Sequence, residues 1–205
     1  MSAPPFTRDV ARVAAALNAG RVAIVPTDTV YGVAASLEHP AAITRIFAAK
    51  GRPDDKPIPI LVDSPASAER YVSAISAAAR RLMIAFWPGP LTIVMPAANA
   101  VPEDCLAGGS TVGLRLPDHS ALRELLTACG GALAVTSANR SGCPETQSPE
   151  AAYAALRAHV DIVLDCGELP DSEPSTVVEP SGAQPRIIRS GAVDADTILR
   201  VVAGR

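Results

Sequence analysis

The sequence predicts a single α/β domain in which helices pack on a twisted mixed sheet. Three observations lead to this fold class. Short apolar segments alternate with amphipathic ones in the first half of the chain, later apolar segments follow one another closely, and neither a linker-like stretch nor an internal repeat divides the 205 residues. The alternation favours parallel strands joined by helices, and the later close spacing favours antiparallel pairs. We therefore expect one domain over residues 1–205.

Helix start and stop signals organise the first half of the chain. Thr7 is predicted to cap a helix that ends near Asn18, before Gly20. Pro40 is predicted to be the first residue of a helix that runs to about Ala49. The other elements predicted here are strands at 21–25 and 58–62, a short helix opened at 64–65, and a helix over 75–86.

The second half is predicted to contain most of the strands. A sharp turn at 87–90, Trp-Pro-Gly-Pro, precedes a strand at 91–95. Two helices, at about 120–129 and 149–159, lie between later strands, and Asp194 is predicted to cap a last helix. The later strands are predicted at 112–116, 133–136, 162–164, 176–178 and 186–189.

Composition excludes several classes of protein. Hydrophobic residues make up 48% of the chain and charged residues 19%, which is typical of a folded domain and not of a disordered chain. No apolar run approaches the roughly 18 residues of a membrane helix, so we expect a soluble, cytoplasmic protein without membrane contact. The net charge of −3 gives no global attraction to nucleic acid, and any anion site must therefore be local.

The cysteines and histidines give no local metal-binding pattern. The four cysteines have no C-x-x-C spacing, and the three histidines are far apart in sequence. We expect the thiols to be reduced interior side chains and the protein to supply no metal ligands of its own. The cysteines are Cys105, Cys129, Cys143 and Cys166.

Polar loops rich in Gly and Pro follow several predicted strands. Each of them alone is typical of an ordinary turn, because Ser, Thr, Asn, Gly and Pro are the common turn residues. Together their hydroxyl and amide groups could hold a small polar ligand through neutral hydrogen bonds. The loops lie at 26–32, 50–56, 108–111, 136–142 and 174–176.

The only two lysines, Lys50 and Lys56, bracket one short segment that also contains Arg52. A lysine and an arginine separated by one glycine suit a polyphosphate, since the ammonium is a compact charge and the guanidinium a bidentate donor. A basic helix terminus that favours the helix dipole explains the same spacing equally well. The sequence contains no Walker loop and no G-x-G-x-x-G motif.

Two arginines stand within apolar strands. Arg115 and Arg189 each need an anionic partner if they are buried, and that partner is either an internal carboxylate or a substrate carboxylate. No nucleophile elbow or nucleophile–histidine pattern is present, and nothing near Ser137 would activate it. An enzyme of this sequence would therefore work by positioning and charge stabilisation.

Taken together, seven segments of the sequence resemble the YrdC/Sua5 family of threonylcarbamoyl-AMP synthases. They occur in the family's order and at similar spacing over about residues 8–195, which is far more specific than any one motif. The resemblance implies the single-domain form of a YrdC-like α/β fold with a concave ligand-binding face. The matching stretches are PTDTVYG (26–32), FAAKGRPDDKP (47–57), FWPGPLTIV (86–94), STVGLRLP (110–117), TSANRSG (136–142), PSTVV (174–178) and RIIRSG (186–191).

The resemblance also implies a reaction, in which L-threonine, bicarbonate and ATP give threonylcarbamoyl-adenylate and pyrophosphate. Mg²⁺ would arrive with ATP, and a separate complex would transfer the product to the tRNA adenosine beside the anticodon. The implied catalytic residues are Lys50, Arg52, Ser137 and Asn139. The implied ATP-binding residues are those four with Lys56, Thr111 and Arg189, and the implied threonine-binding residues are Thr29, Arg115 and Ser175.

Two positions depart from the family pattern, and two other functions remain open. Lys56 stands where some members have Asn, and Leu61 stands where some have a histidine that assists threonine binding, which places detail on the threonine side in question. The main alternative is an RNA-binding relative without synthase activity, disfavoured by the net charge and by the 3% aromatic content. A carbamoyl-phosphate-using relative is the other.

Overall fold

The computed structural model describes residues 5–51, 56–180 and 185–204. Within these ranges the strands form a ten-stranded sheet with the order β1-β8-β2-β3-β7-β4-β6-β5-β9-β10. The strands are β1 (Phe6–Thr7), β2 (Ala23–Val25), β3 (Gly32–Ser36), β4 (Ile60–Val62), β5 (Leu91–Pro96), β6 (Thr111–Arg115), β7 (Ala132–Ser137), β8 (Ile162–Leu164), β9 (Thr176–Glu179) and β10 (Arg186–Arg189).

The sheet is mixed, as predicted. Parallel pairs join β1 to β8, β2 to β8, β4 to β6 and β5 to β9. The remaining neighbours, β2/β3, β3/β7, β4/β7, β5/β6 and β9/β10, are antiparallel. The single-domain α/β class is confirmed.

Helices pack against the sheet and in most cases begin where the sequence predicts. Ser76 caps α4 through its hydroxyl, and Gly51 ends α2 in the left-handed conformation (φ 57°) that glycine adopts readily. The predicted cap Thr7 is wrong: Thr7 lies in β1, and the carboxylate of Asp9 accepts the capping bond. The helices are α1 (Val10–Asn18), α2 (Pro40–Lys50), α3 (Pro65–Glu69), α4 (Ala77–Phe86), α5 (Glu103–Leu106), α6 (Ser120–Ala128), α7 (Pro149–Leu156) and α8 (Ala195–Val202).

Alternation along the central strands divides the core between the two faces of the sheet. Ile60 belongs to a large apolar cluster that includes residues of α2 and α4, whereas Leu61 belongs to a smaller cluster with residues of α1 and α6. Towards the β5, β6 and β9 end, the side chains that alternate onto one face are largely polar or small, as Thr92 and Gly113 illustrate. That face carries the cavity described below.

The four cysteines differ in their exposure to solvent. Cys105 is buried and Cys129 half-buried, but Cys143 and Cys166 are exposed, so the prediction of interior cysteines is wrong for those two. All four are free thiols.

In the described part of the chain, no helix combines the length and the apolar character that a membrane crossing requires.

Candidate active site

A cavity of about 730 Å³ opens on one face of the sheet. Nine of the ten residues predicted to bind substrates line it, although they come from segments up to 160 residues apart along the chain. Arg52, the tenth, lies outside the described residues. The nine are Thr29, Lys50, Lys56, Thr111, Arg115, Ser137, Asn139, Ser175 and Arg189.

Lys50 lies at the end of α2 and reaches the loop that follows β7. Its ammonium donates to the carbonyl oxygens of Ser137 (2.5 Å) and Asn139 (3.0 Å), and it also lies 3.1 Å from the Asn139 side-chain oxygen. Only 6% of Lys50 is exposed. Lys50 is therefore not an exposed loop charge, because its ammonium binds main-chain oxygens of the neighbouring loop.

The side chains of this loop are ordered by one another. The Ser137 hydroxyl donates to Asn139 Oδ1 (2.7 Å), and the Asn139 amide donates to the carbonyl of Cys143 (2.6 Å). Asn139 is buried and Ser137 is half-buried, so the Ser137 hydroxyl faces the cavity from a fixed loop. Such fixed dipoles can stabilise developing charge without reorganising during a reaction.

Arg115, at the end of β6, has an internal carboxylate partner. Its Nη2 donates to Asp28 Oδ1 (2.6 Å), Nη1 to the Thr29 hydroxyl (3.2 Å) and Nε to the carbonyl of Gly89 (3.0 Å). Burial lowers the pKa of Arg115 below its usual value, although the neighbouring Asp28 carboxylate raises it. Within the described ranges these bonds use three of the five guanidinium N–H donors, which leaves two for a ligand.

Thr29, whose hydroxyl accepts a bond from this guanidinium, is itself held by further hydrogen bonds. Its hydroxyl is 3.0 Å from that of Thr27, and its main-chain carbonyl accepts a bond from the Ser172 hydroxyl (2.8 Å). Thr29 and Thr27 are both buried. The loop at 26–32 is therefore held from the strand side by Arg115 and from the far side by the segment that precedes β9.

Arg189, at the end of β10, binds the residue that precedes the neighbouring strand β9. Its Nε and Nη2 donate to the carbonyl of Ser175 (3.1 and 2.7 Å), and Nη2 also donates to the Ser175 hydroxyl (3.0 Å). Nη1 lies 3.6 Å from Glu145 Oε1. A side chain at Gly191 would collide with the carbonyl oxygen of Pro174, so the close approach of these two segments requires glycine there.

Several residues in or beside the cavity were not predicted from the sequence. Asp28 stands inside a quoted motif, but its partner is 87 residues away, and only tertiary structure identifies that pair. Glu145 lines the cavity, and its Oε2 is buried without a hydrogen-bond partner in the described part of the chain. Thr92 and Arg186 also line it. The signal that could have identified Thr92 is a polar residue within an otherwise apolar strand.

The two departures from the family pattern lie at the cavity itself. Leu61 contributes an apolar surface from β4, and Lys56 is exposed at the rim. The described residues contain no cluster of three or more His, Cys, Asp or Glu side chains that could hold a metal ion. The described lining of the cavity does carry oxygen atoms, on hydroxyl groups and on Glu145 among others.

Comparisons with known proteins agree on one family. The family model for Sua5, YciO and YrdC, described as telomere recombination, matches residues 15–191. A protein of Mycobacterium tuberculosis, provisionally named threonylcarbamoyl-AMP synthase, is 38% identical over 96% of this chain and 90% of its own length.

Solved structures give the same result. Sua5 of Pyrococcus abyssi in complex with L-threonine has a TM-score of 0.90 and 32% identity, and the match covers 96% of this chain and 59% of that one. YciO of Escherichia coli has a TM-score of 0.85 and 26% identity, with 93% and 92% of the two chains covered.

Proposed function

The chain belongs to the Sua5/YciO/YrdC family, and from that membership we propose that it is a threonylcarbamoyl-AMP synthase. The observation that carries the proposal is the convergence of Lys50, Ser137, Arg115 and Ser175 on one cavity. The relative from M. tuberculosis and the threonine complex of P. abyssi Sua5 support it.

We propose that the reaction has two steps. The amine of L-threonine attacks bicarbonate and, with loss of water, gives a carbamate. A carbamate oxygen then attacks the α-phosphorus of ATP, and the bond to the β-phosphate oxygen breaks to release pyrophosphate. The enzyme is accordingly a nucleotidyltransferase. A cavity that shields the carbamate from water is useful, because the free carbamate loses carbon dioxide readily.

The contacts within the cavity suggest a role for each residue in this reaction. Lys50 binds the loop that carries Ser137 and Asn139, and we infer that polar atoms of these two residues would contact the phosphates. Arg52, Lys56, Thr111 and Arg189 would complete the nucleotide side. The remaining guanidinium donors of Arg115 would bind the threonine carboxylate beside Thr29, and Ser175 would contact its hydroxyl.

We propose that Mg²⁺ arrives with ATP and is held mainly by its phosphates. When bound, it would neutralise charge on those phosphates. The oxygen-rich lining suits a hard cation, and the buried Glu145 Oε2 is a carboxylate oxygen without a hydrogen-bond partner in the described ranges.

We further propose a cytoplasmic reaction whose product passes to a threonylcarbamoyl-transferase complex acting on tRNA. A mixed anhydride of a carbamate and a phosphate is an activated acyl donor, so a transfer reaction must consume it. Direct contact with tRNA is not required for this step.

The test is pyrophosphate release by the purified protein with ATP, Mg²⁺, bicarbonate and L-threonine. We expect release that depends on threonine and bicarbonate and is lost when L-valine replaces L-threonine. No release from folded protein at saturating substrates contradicts the proposal. Salt-dependent tRNA binding without turnover would favour the RNA-binding alternative, and release with carbamoyl phosphate in place of threonine and bicarbonate would favour the carbamoyl-phosphate alternative.

A further inference from the structure

Thr92 is a buried hydroxyl residue in the wall of the cavity. It lies on β5, which pairs with β9 so that Thr92 is opposite Val177. Its hydroxyl is 3.1 Å from the hydroxyl of Ser175, and 3% of Thr92 and 5% of Ser175 are exposed. In the described part of the chain, this is the one hydrogen-bond partner of the Thr92 hydroxyl.

The backbone of the neighbouring strand fixes the orientation of Thr92. A side chain at Gly113 would place its Cβ 3.1 Å from the Thr92 methyl group, so the missing side chain of Gly113 makes room for that methyl. With the methyl over Gly113, the hydroxyl points to Ser175. A threonine has few χ1 conformations, and the packing leaves it in this one.

The hydroxyl pair has a defined hydrogen-bonding capacity. Arg189 can only donate, so its bond to Ser175 uses one acceptor position of the Ser175 oxygen. The bond between Thr92 and Ser175 uses one of their two hydroxyl protons, whichever residue donates. One O–H donor and at least one lone pair therefore remain for a ligand in the cavity.

We propose that Thr92 is a specificity-determining positioning residue, which holds Ser175 so that the hydroxyl pair recognises the side-chain hydroxyl of the amino-acid substrate. The inference rests on the proposed function for the identity of that substrate. The hydroxyl of a threonine substrate can both donate and accept a hydrogen bond. It therefore matches the O–H donor and the lone pair that remain on the hydroxyls of Thr92 and Ser175. Valine has the same shape but would leave the buried pair without a partner, and sites of this kind discriminate strongly against such analogues.

The test compares Thr92→Val, which keeps the shape and removes the hydroxyl, with the matched control Thr92→Ser, which keeps the hydroxyl. Calorimetric titration with L-threonine measures amino-acid binding without any need for turnover. We expect Thr92→Val to weaken threonine binding about tenfold or more, Thr92→Ser to stay within about threefold of wild type, and ATP binding to stay within about twofold in both.

The possible results separate this inference from the synthase proposal. Threonine binding without pyrophosphate release by the wild type would contradict the synthase and leave the effect of Thr92→Val interpretable. Equal threonine affinity in the wild type and Thr92→Val, or equal weakening of threonine and ATP, would overturn the inference. If Thr92→Val does not fold, the wild type decides: L-valine binding about tenfold or more weaker than L-threonine binding supports the inference, and a smaller difference overturns it.

Discussion

Replacing Lys50 by Met is expected to lower both stability and turnover. Met keeps most of the aliphatic stem, so the change mainly removes the ammonium that binds the loop after β7. The carbonyls of Ser137 and Asn139 lose a donor at 2.5 and 3.0 Å. Each buried acceptor left without a partner costs about 1–3 kcal/mol. Two effects offset part of that cost: water from the cavity replaces some of the lost bonds, and the variant no longer has to bury a charged ammonium. We expect a loss of about 2–4 kcal/mol in the free energy of unfolding.

Thermal and urea unfolding measure this loss. For a chain of 205 residues, a loss of that size lowers the melting temperature by roughly 4–16 °C. Lys56→Met is the matched control, because Lys56 is the only other lysine and is exposed at the rim of the same cavity. We expect that variant to stay within about 0.5 kcal/mol of wild type. Equal stability of the two variants would refute the structural role assigned to Lys50.

Two other predictions concern the side chains of Asp28 and His119. Asp28→Asn removes the carboxylate from the buried Arg115 and should cost about 3 kcal/mol in urea unfolding; a change below about 0.5 kcal/mol would show that the pair is not effectively buried. Burial lowers the pKa of His119 below 6.5, and the ring accepts the capping bond of α6. The unfolded chain therefore takes up the proton first as the pH falls. The stability contributed by neutral His119 is fully present above the pKa that His119 has in the unfolded chain. It is lost as the pH falls from about 6.5 through the lower pKa of His119 in the folded state. Urea unfolding from about pH 7.5 to about pH 5 should show the wild type losing more stability than His119→Asn, and parallel curves would contradict this.

Local sequence patterns predicted the elements that have strong signals and missed those that lack them. Pro40, Pro149 and Asp194 mark helix starts through a fixed φ or side-chain capping, both of which are local properties. The strand β3 was not predicted, because Gly-Val-Ala-Ala-Ser is short, small and buried throughout, so no alternation marks it. Its position between β2 and β7 is what brings the loop at 26–32 beside Ser137.

The candidate site was predicted as a set of residues, but its internal pairing was not. The resemblance named Lys50 and Arg115 as ligands of substrate, and both do line the cavity. The pairing depends on contacts between segments about 90 residues apart. Through these contacts Lys50 is buried against main-chain oxygens, and Asp28 forms an ion pair with Arg115. Sequence leaves such a choice open, since any of the chain's acidic residues could have partnered the arginine.

Hydrogen bonds between the loops explain why a cavity formed by separate segments can have a fixed shape. The amide of Ala138 donates to the carbonyl of Tyr31 (2.8 Å), and the amide of Ser141 donates to that of Lys50 (2.9 Å). The loop after β7 is thus bound on one side to the 26–32 loop and on the other to the end of α2. Polar groups held in this way need little rearrangement when charge develops, which is the condition for electrostatic catalysis. The same bonds make the loops interdependent, so the effects of substitutions in different loops should not be treated as independent contributions.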